Sequence, residues 1–191
     1  MSGSSYLGEA TLSGKAWDPH GAARSREARV AVELDGIDLP PTQQFFGELR
    51  FYLQRMTDRG RLTKGARSLS QLETAEGHTQ INVGPTIFRA PCENCLIFRS
   101  GAQLSFGITL RVDGSHSRLL AYRFHLNLIQ SSGLRFIRID LNTPKAEYDP
   151  MHMPRSHMHP GFEHVHIPFP AMHPMEVLDR IFHVIEPHFT S

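Results

Sequence analysis

The sequence predicts an α+β protein: a twisted, mostly antiparallel β-sheet arranged as a meander, with an N-terminal helix and a C-terminal helix packed on it. Three observations carry this. From about residue 80 the chain alternates apolar and polar side chains with period two, in runs divided by short Gly, Ser and Asp turns. Connections that short join antiparallel neighbours, since a parallel crossover needs a dozen or more residues. Before the meander, Phe45, Leu49, Tyr52 or Leu53, and Met56 recur at helical spacing, and after it so do Val177, Leu178, Ile181, Phe182 and Ile185.

Taken in order, residues 1–40 read as a loosely structured arm with one short strand candidate at Val30–Leu34. Residues 41–191 read as a single domain. Pro41 or Thr42 suits the start of a helix over 43–56. Thr57 to Ser70 then carries Arg59, Arg61, Lys64 and Arg67 among Gly and Ser, a basic loop that either holds phosphate or is a solvated face. The strands follow at Thr86–Arg89, Cys95–Arg99, Leu104–Val112, Leu119–Ile129 and Leu134–Leu141, in a sheet spanning about 80–168. The closing helix, 174–186, is bracketed by Pro174 and Pro187.

Composition bounds the rest. With 191 residues and 40% hydrophobic content, the chain can bury a core without disulfide staples. No apolar run approaches a membrane span, and MSGSSYLGEA lacks the blocks of a signal peptide, so a cytoplasmic protein with no membrane partner is expected. A formal charge of +1 gives no bulk argument for nucleic acid, but eight of the 12 histidines fall within the last forty residues.

Four of those eight sit in Arg155-Ser-His157-Met-His159-Pro-Gly-Phe-Glu-His164-Val-His166. Pro160-Gly161 suits the centres of a type II turn. If that turn joins two strands with His159 opposite Phe162, then His157 opposes His164 and Arg155 opposes His166, and all four imidazoles share a face with Arg155. Such a face supports two chemistries. His157, His159, His164 and His166 are candidate ligands for a divalent transition metal such as zinc. Alternatively, His157 and His164 form an acid/base pair acting on a phosphodiester, with Arg155 near the phosphate. A third reading is a surface patch with no chemistry.

The preceding hairpin supplies neighbours. Tyr122 to Leu128 alternates cleanly, and a four-residue connection to Leu134 sets His125 opposite Arg138 and Arg123 opposite Asp140. This polar stripe becomes a site if the histidine hairpin lies beside it; otherwise it is the wet side of a one-sided sheet. Cys92-Glu-Asn-Cys95 reads as half of a zinc site, a redox pair or two reduced thiols.

The order Tyr122-Arg-Phe-His125, Leu134-Arg-Phe-Ile-Arg138-Ile-Asp140, His157-Met-His159 and Pro174-Met-Glu-Val-Leu178 resembles small bacterial toxins of the TumE-like type, over roughly residues 105–186. The resemblance implies a toxin of a toxin–antitoxin pair acting in the cytoplasm, with RNA and a cognate antitoxin protein as partners. It carries over to Arg138, Asp140, His157 and His159. The function expected is therefore a toxin-like nuclease or phosphodiesterase, with Arg123 and Arg138 holding phosphate. The competing expectations are a non-catalytic protein- or nucleic-acid-binding module and a structural metal protein.

Overall fold

The computed structural model of the chain describes residues 37–64, 66–74, 76–85, 92, 94–128, 133–144 and 155–190. The strand candidates Val30–Leu34 and Thr86–Arg89 lie outside the described residues. The elements are β1 (Ile37–Leu39), α1 (Thr42–Asp58), β2 (Leu62–Lys64), a 3-10 turn at Ala66–Ser68, β3 (Leu69–Glu73), β4 (Thr79–Val83), β5 (Leu96–Phe98), β6 (Gln103–Asp113), β7 (His116–Asn127), β8 (Phe136–Leu141), β9 (Ser156–Pro160), β10 (Ile167–Pro168), α2 (Pro174–Arg180), a π-helical turn at Ile181–Ile185, and α3 (Glu186–Thr190).

The ten strands of the described residues join one antiparallel sheet, in the order β10-β9-β8-β7-β6-β4-β3, with β1 on β7, β5 on β6 and β2 on β5. The long hairpin β6–β7 is its spine, closed by a two-residue turn in which Gly114 takes φ 61°. One face is apolar because alternate residues on adjoining strands are: Phe106, Phe124 and Ile139 lie in one row, and Ile81, Ile108, Tyr122 and Leu141 in the next. Phe45, Leu49, Leu53 and Met56 of α1 and Val177, Leu178, Ile181 and Phe182 of the C-terminal helices share that buried core. Phe182 ties the layers together, its ring 4.8 Å from Phe98 and 5.7 Å from Tyr52.

The α+β class and both helices are as the sequence predicts. The start of the sheet is not: β2 and β3 occupy the stretch expected to be a basic loop. Leu62 is buried, but β3 alternates between half-buried and exposed positions because it is an edge strand with only one neighbour, so it carries little apolar periodicity. No helix of the described residues is long and apolar enough to cross a membrane.

Candidate functional site

On the face turned away from the helices, the polar residues of β7, β8 and β9 fall into register. Arg123 opposes Asp140, which opposes His157; one step along, His125 opposes Arg138, which opposes His159. The two cross-strand pairs predicted from alternation are both present, and the histidine strand lies directly beside them.

Asp140 sits at the centre, 3% exposed. Its Oδ2 is 2.8 Å from Arg138 Nε, 3.3 Å from His159 Nε2 and 3.7 Å from His157 Nε2, while Oδ1 is 3.4 Å from Arg123 Nε. Arg138 spreads its fork further, bonding Glu163 through Nη1 and meeting His159 Nε2 at 2.7 Å through Nη2. A buried carboxylate is thus compensated by two guanidiniums, and one of those is compensated again by a second carboxylate.

Burial, aided by the nearby Arg138 charge, holds the His159 imidazole below its ordinary pKa. The same two causes push His125 down to about 4, with its ring stacked 4.9 Å from Phe136. Both rings are neutral at pH 7.

The histidine hairpin differs from the expected one. Gly161 does adopt the positive φ of 80° that a type II turn requires. The chain nevertheless makes a wide loop, and Met158 pairs with Ile167 and His157 with Pro168. An unprimed turn matches the twist of two paired strands poorly, so the wider connection is the less strained one. His166 therefore folds back onto the histidines of β9: its ring centroid is 4.7 Å from that of His157 and 4.5 Å from that of His159, and those two are 4.9 Å apart. His164 is excluded from this triangle; it is exposed in the loop, 5.9 Å from Phe162. The pairing of His157 with His164 is replaced by one with His166.

Arg155, expected to contact phosphate, is 1% exposed and holds main-chain carbonyls instead, Asn142 through Nε and Leu120 through Nη2, each at 2.7 Å. Leu120 is the extra residue of a bulge in β7, which frees its carbonyl for this bond. The basic group from Arg59 to Arg67 is not gathered at the site either. Arg59 and Arg67 are exposed, Lys64 lies on β2, and Arg61 bonds the Phe182 carbonyl and, at 3.1 Å, Glu186. Four strands, β5 to β8, separate β2 from β9. Cys92 and Cys95 are joined to each other in a buried disulfide against Gly84, which overturns both the zinc half-site and the two reduced thiols.

Beside Asp140 lies a cavity of about 240 Å³, missed by sequence reasoning, with Gln80, Asn82, Thr109, Arg123 and Asn142 among its lining and Gly107 in its wall. A signal for it exists: polar Gln80 and Asn82 alternate with apolar Ile81 and Val83 on β4, and Ser105, Gly107 and Thr109 alternate with apolar Phe106, Ile108 and Leu110 on β6. Arg123 and Asp140 belong to both the cavity and the histidine site; among the described residues no histidine lines the cavity.

No family model, no curated protein and no solved structure matches this chain. Its resemblance to TumE-like toxins therefore rests on the motifs alone.

Proposed function

We propose that this protein is a phosphodiester hydrolase acting on RNA, the toxin component of a toxin–antitoxin pair. The single observation that carries the hydrolase reading is the pair of adjoining rows, Arg123–Asp140–His157 and His125–Arg138–His159, which gathers two guanidiniums, a carboxylate and three imidazoles on one face beside a polar cavity. Arg123, with 45% of its side chain exposed, is the group placed to hold a phosphate entering the cavity. Asp140 orients Arg123 and the imidazoles of His157 and His159. His157, stacked on the half-exposed His166, supplies proton transfer, a contribution of about 10²–10⁴-fold when a group is well positioned.

The test is incubation of tag-free protein with a labelled oligoribonucleotide, alongside induced expression in a bacterial host. Cleavage lost in Arg123→Ala and reduced at least about a hundredfold in His157→Ala supports the reading. Intact RNA in every condition, with no arrest of growth, ends it.

One observation favours a second reading, a nucleic-acid-binding module without chemistry: the histidines stand outside the cavity. That module would retain RNA unchanged and lose it in Arg123→Ala.

A further inference from the structure

We propose that His157, His159 and His166 form a three-histidine site for a divalent transition metal, with Asp140 as the carboxylate that orients His159. The inference goes beyond the hydrolase reading, since it concerns binding and holds whether or not RNA is cut; a metal-bound His157 transfers no proton, so cleavage that depends on that imidazole belongs to the metal-free protein. Three observations carry it. One candidate ligand nitrogen from each ring lies within 4.8 Å of one from each of the others, so the three donors already enclose a common point. His159 is 1% exposed, yet its Nδ1 is a buried polar atom with no hydrogen-bond partner among the described residues, a cost that proteins seldom bear without a use. Its other nitrogen is served whichever tautomer forms: Nε2 accepts from Arg138 Nη2 at 2.7 Å, or donates to Asp140 Oδ2 at 3.3 Å.

The second arrangement is the one metal sites use. A ligating imidazole binds through one nitrogen and donates its other N–H to a carboxylate, which fixes the tautomer and raises the basicity of the ligand. On binding, Nδ1 of His159 would give up its proton to take the metal and Nε2 would become the protonated nitrogen, exchanging the bond it accepts from Arg138 for one it donates to Asp140. Arg138 does not repel the cation unopposed, because it is paired with both Asp140 and Glu163.

The elements suit the assembly. His157 and His159 are alternate residues of β9 and share a face by the geometry of the strand. His166 lies in the loop just before β10 and is the half-exposed member, so the loop supplies the adjustment. A metal at about 2.1 Å from each nitrogen brings the donors to about 3.4 Å apart. Three imidazoles around zinc, cobalt or nickel leave a further position open, as catalytic rather than structural sites do. His164, four residues from Pro160 in the same loop, takes no part, which makes it an internal control.

The experiment is titration of purified, tag-free full chain with Zn²⁺ and with Co²⁺ after chelator treatment, read by calorimetry and by the visible absorption of bound cobalt. The expected result is one metal per chain at micromolar affinity or better, with the His164→Ala variant unchanged. Loss of binding is expected in His159→Ala and at least a tenfold weakening in His166→Ala, whose partly exposed side chain can be removed without loss of the fold, as unchanged circular dichroism would verify. Asp140→Asn weakens binding about 10–100-fold. No stoichiometric metal in the folded parent protein overturns the proposal, as does a site abolished by His164→Ala but kept in His166→Ala. An empty site leaves the RNA-cleavage reading standing, and inert RNA leaves the metal site standing.

Discussion

Arg138 and His159 stand opposite each other on β8 and β9, with Nη2 of the one 2.7 Å from Nε2 of the other. A guanidinium only donates, so in this contact the imidazole accepts and is neutral. The pair is held together by Asp140, which binds Arg138 Nε at 2.8 Å. Asp140→Asn keeps the shape but leaves Arg138 and Arg123 facing an amide. The expected loss is roughly 3 kcal/mol, as for other buried pairs broken from one side, measured by urea denaturation. Adding Arg138→Gln should recover part of it, because the buried guanidinium that has lost its Asp140 partner is then gone, at the cost of its ion pair with the exposed Glu163. A single variant within experimental error of the parent would contradict the central role given to Asp140.

Arg155 is predicted to be a structural clamp. Its guanidinium, 1% exposed, joins the carbonyls of Leu120 on β7 and Asn142 after β8, so it ties the start of β9 to two other strands. Arg155→Leu fills the volume but leaves both carbonyls without this donor, and a loss of about 2–4 kcal/mol is expected. Arg155→Lys should rescue little, since one ammonium cannot reproduce the fork. RNA affinity per folded molecule should be unchanged in either variant; a specific loss of binding in folded Arg155→Lys would return this residue to the phosphate site.

His173 caps α2: its Nδ1 accepts from the Met175 N–H at 3.2 Å, and its ring meets Phe45 edge-on at 5.8 Å. Burial holds its pKa down, which keeps Nδ1 an acceptor. His173→Ala should cost about 1 kcal/mol in thermal or urea unfolding, and His173→Asn, whose side chain also caps, should cost less. Equal effects of the two substitutions would argue against the cap.

Acid should destabilise the fold through His125. The unfolded imidazole binds its proton near pH 6.5, whereas the folded one, buried and close to Arg138, waits until about 4. Between those values the unfolded state binds more protons, so stability falls as pH falls and the loss is complete at about pH 4. His173 adds to the loss in the same direction. Melting temperature measured from pH 7 to pH 4.5 should drop in the parent and drop less steeply in His125→Phe, which keeps a ring against Phe136. Identical slopes would remove His125 as the cause.

Some of this site is legible in the sequence because sheets are periodic. Alternation along Tyr122 to Leu128 and Phe136 to Leu141, with one connection length, is enough to pair Arg123 with Asp140 and His125 with Arg138. The position of His166 is not legible in that way: six residues, Gly161 to His166, separate β9 from β10, and a loop has no fixed register. The same limit hides the association of Arg61 with Glu186, which depends on where the C-terminal helix lands on the sheet. Edge strand β3 is hidden for another reason, since its exposure removes the apolar alternation that would announce it. Arg155 illustrates the converse: it shares strand parity with His157 and His159, yet a bulge at Leu120 provides it with a carbonyl and takes it out of the functional face.

Gly107 tests whether the cavity beside Asp140 is used. It lies opposite Arg123 on β7 and Asn82 on β4, so a side chain there projects into the space those residues share. A Cβ at this position would approach Asn82 Oδ1 to 2.9 Å, an atom at the end of a side chain that can turn aside. Gly107→Ala should therefore fold, with a stability change of about 1 kcal/mol or less. The displaced amide and the added methyl occupy the cavity wall, and RNA affinity should fall at least tenfold in a filter-binding assay. Metal binding by His157, His159 and His166 should stay as in the parent, because none of these three lines the cavity. Unaltered RNA binding in a folded Gly107→Ala protein would move the nucleic-acid contact away from β4 and β6, toward the loop that carries His166.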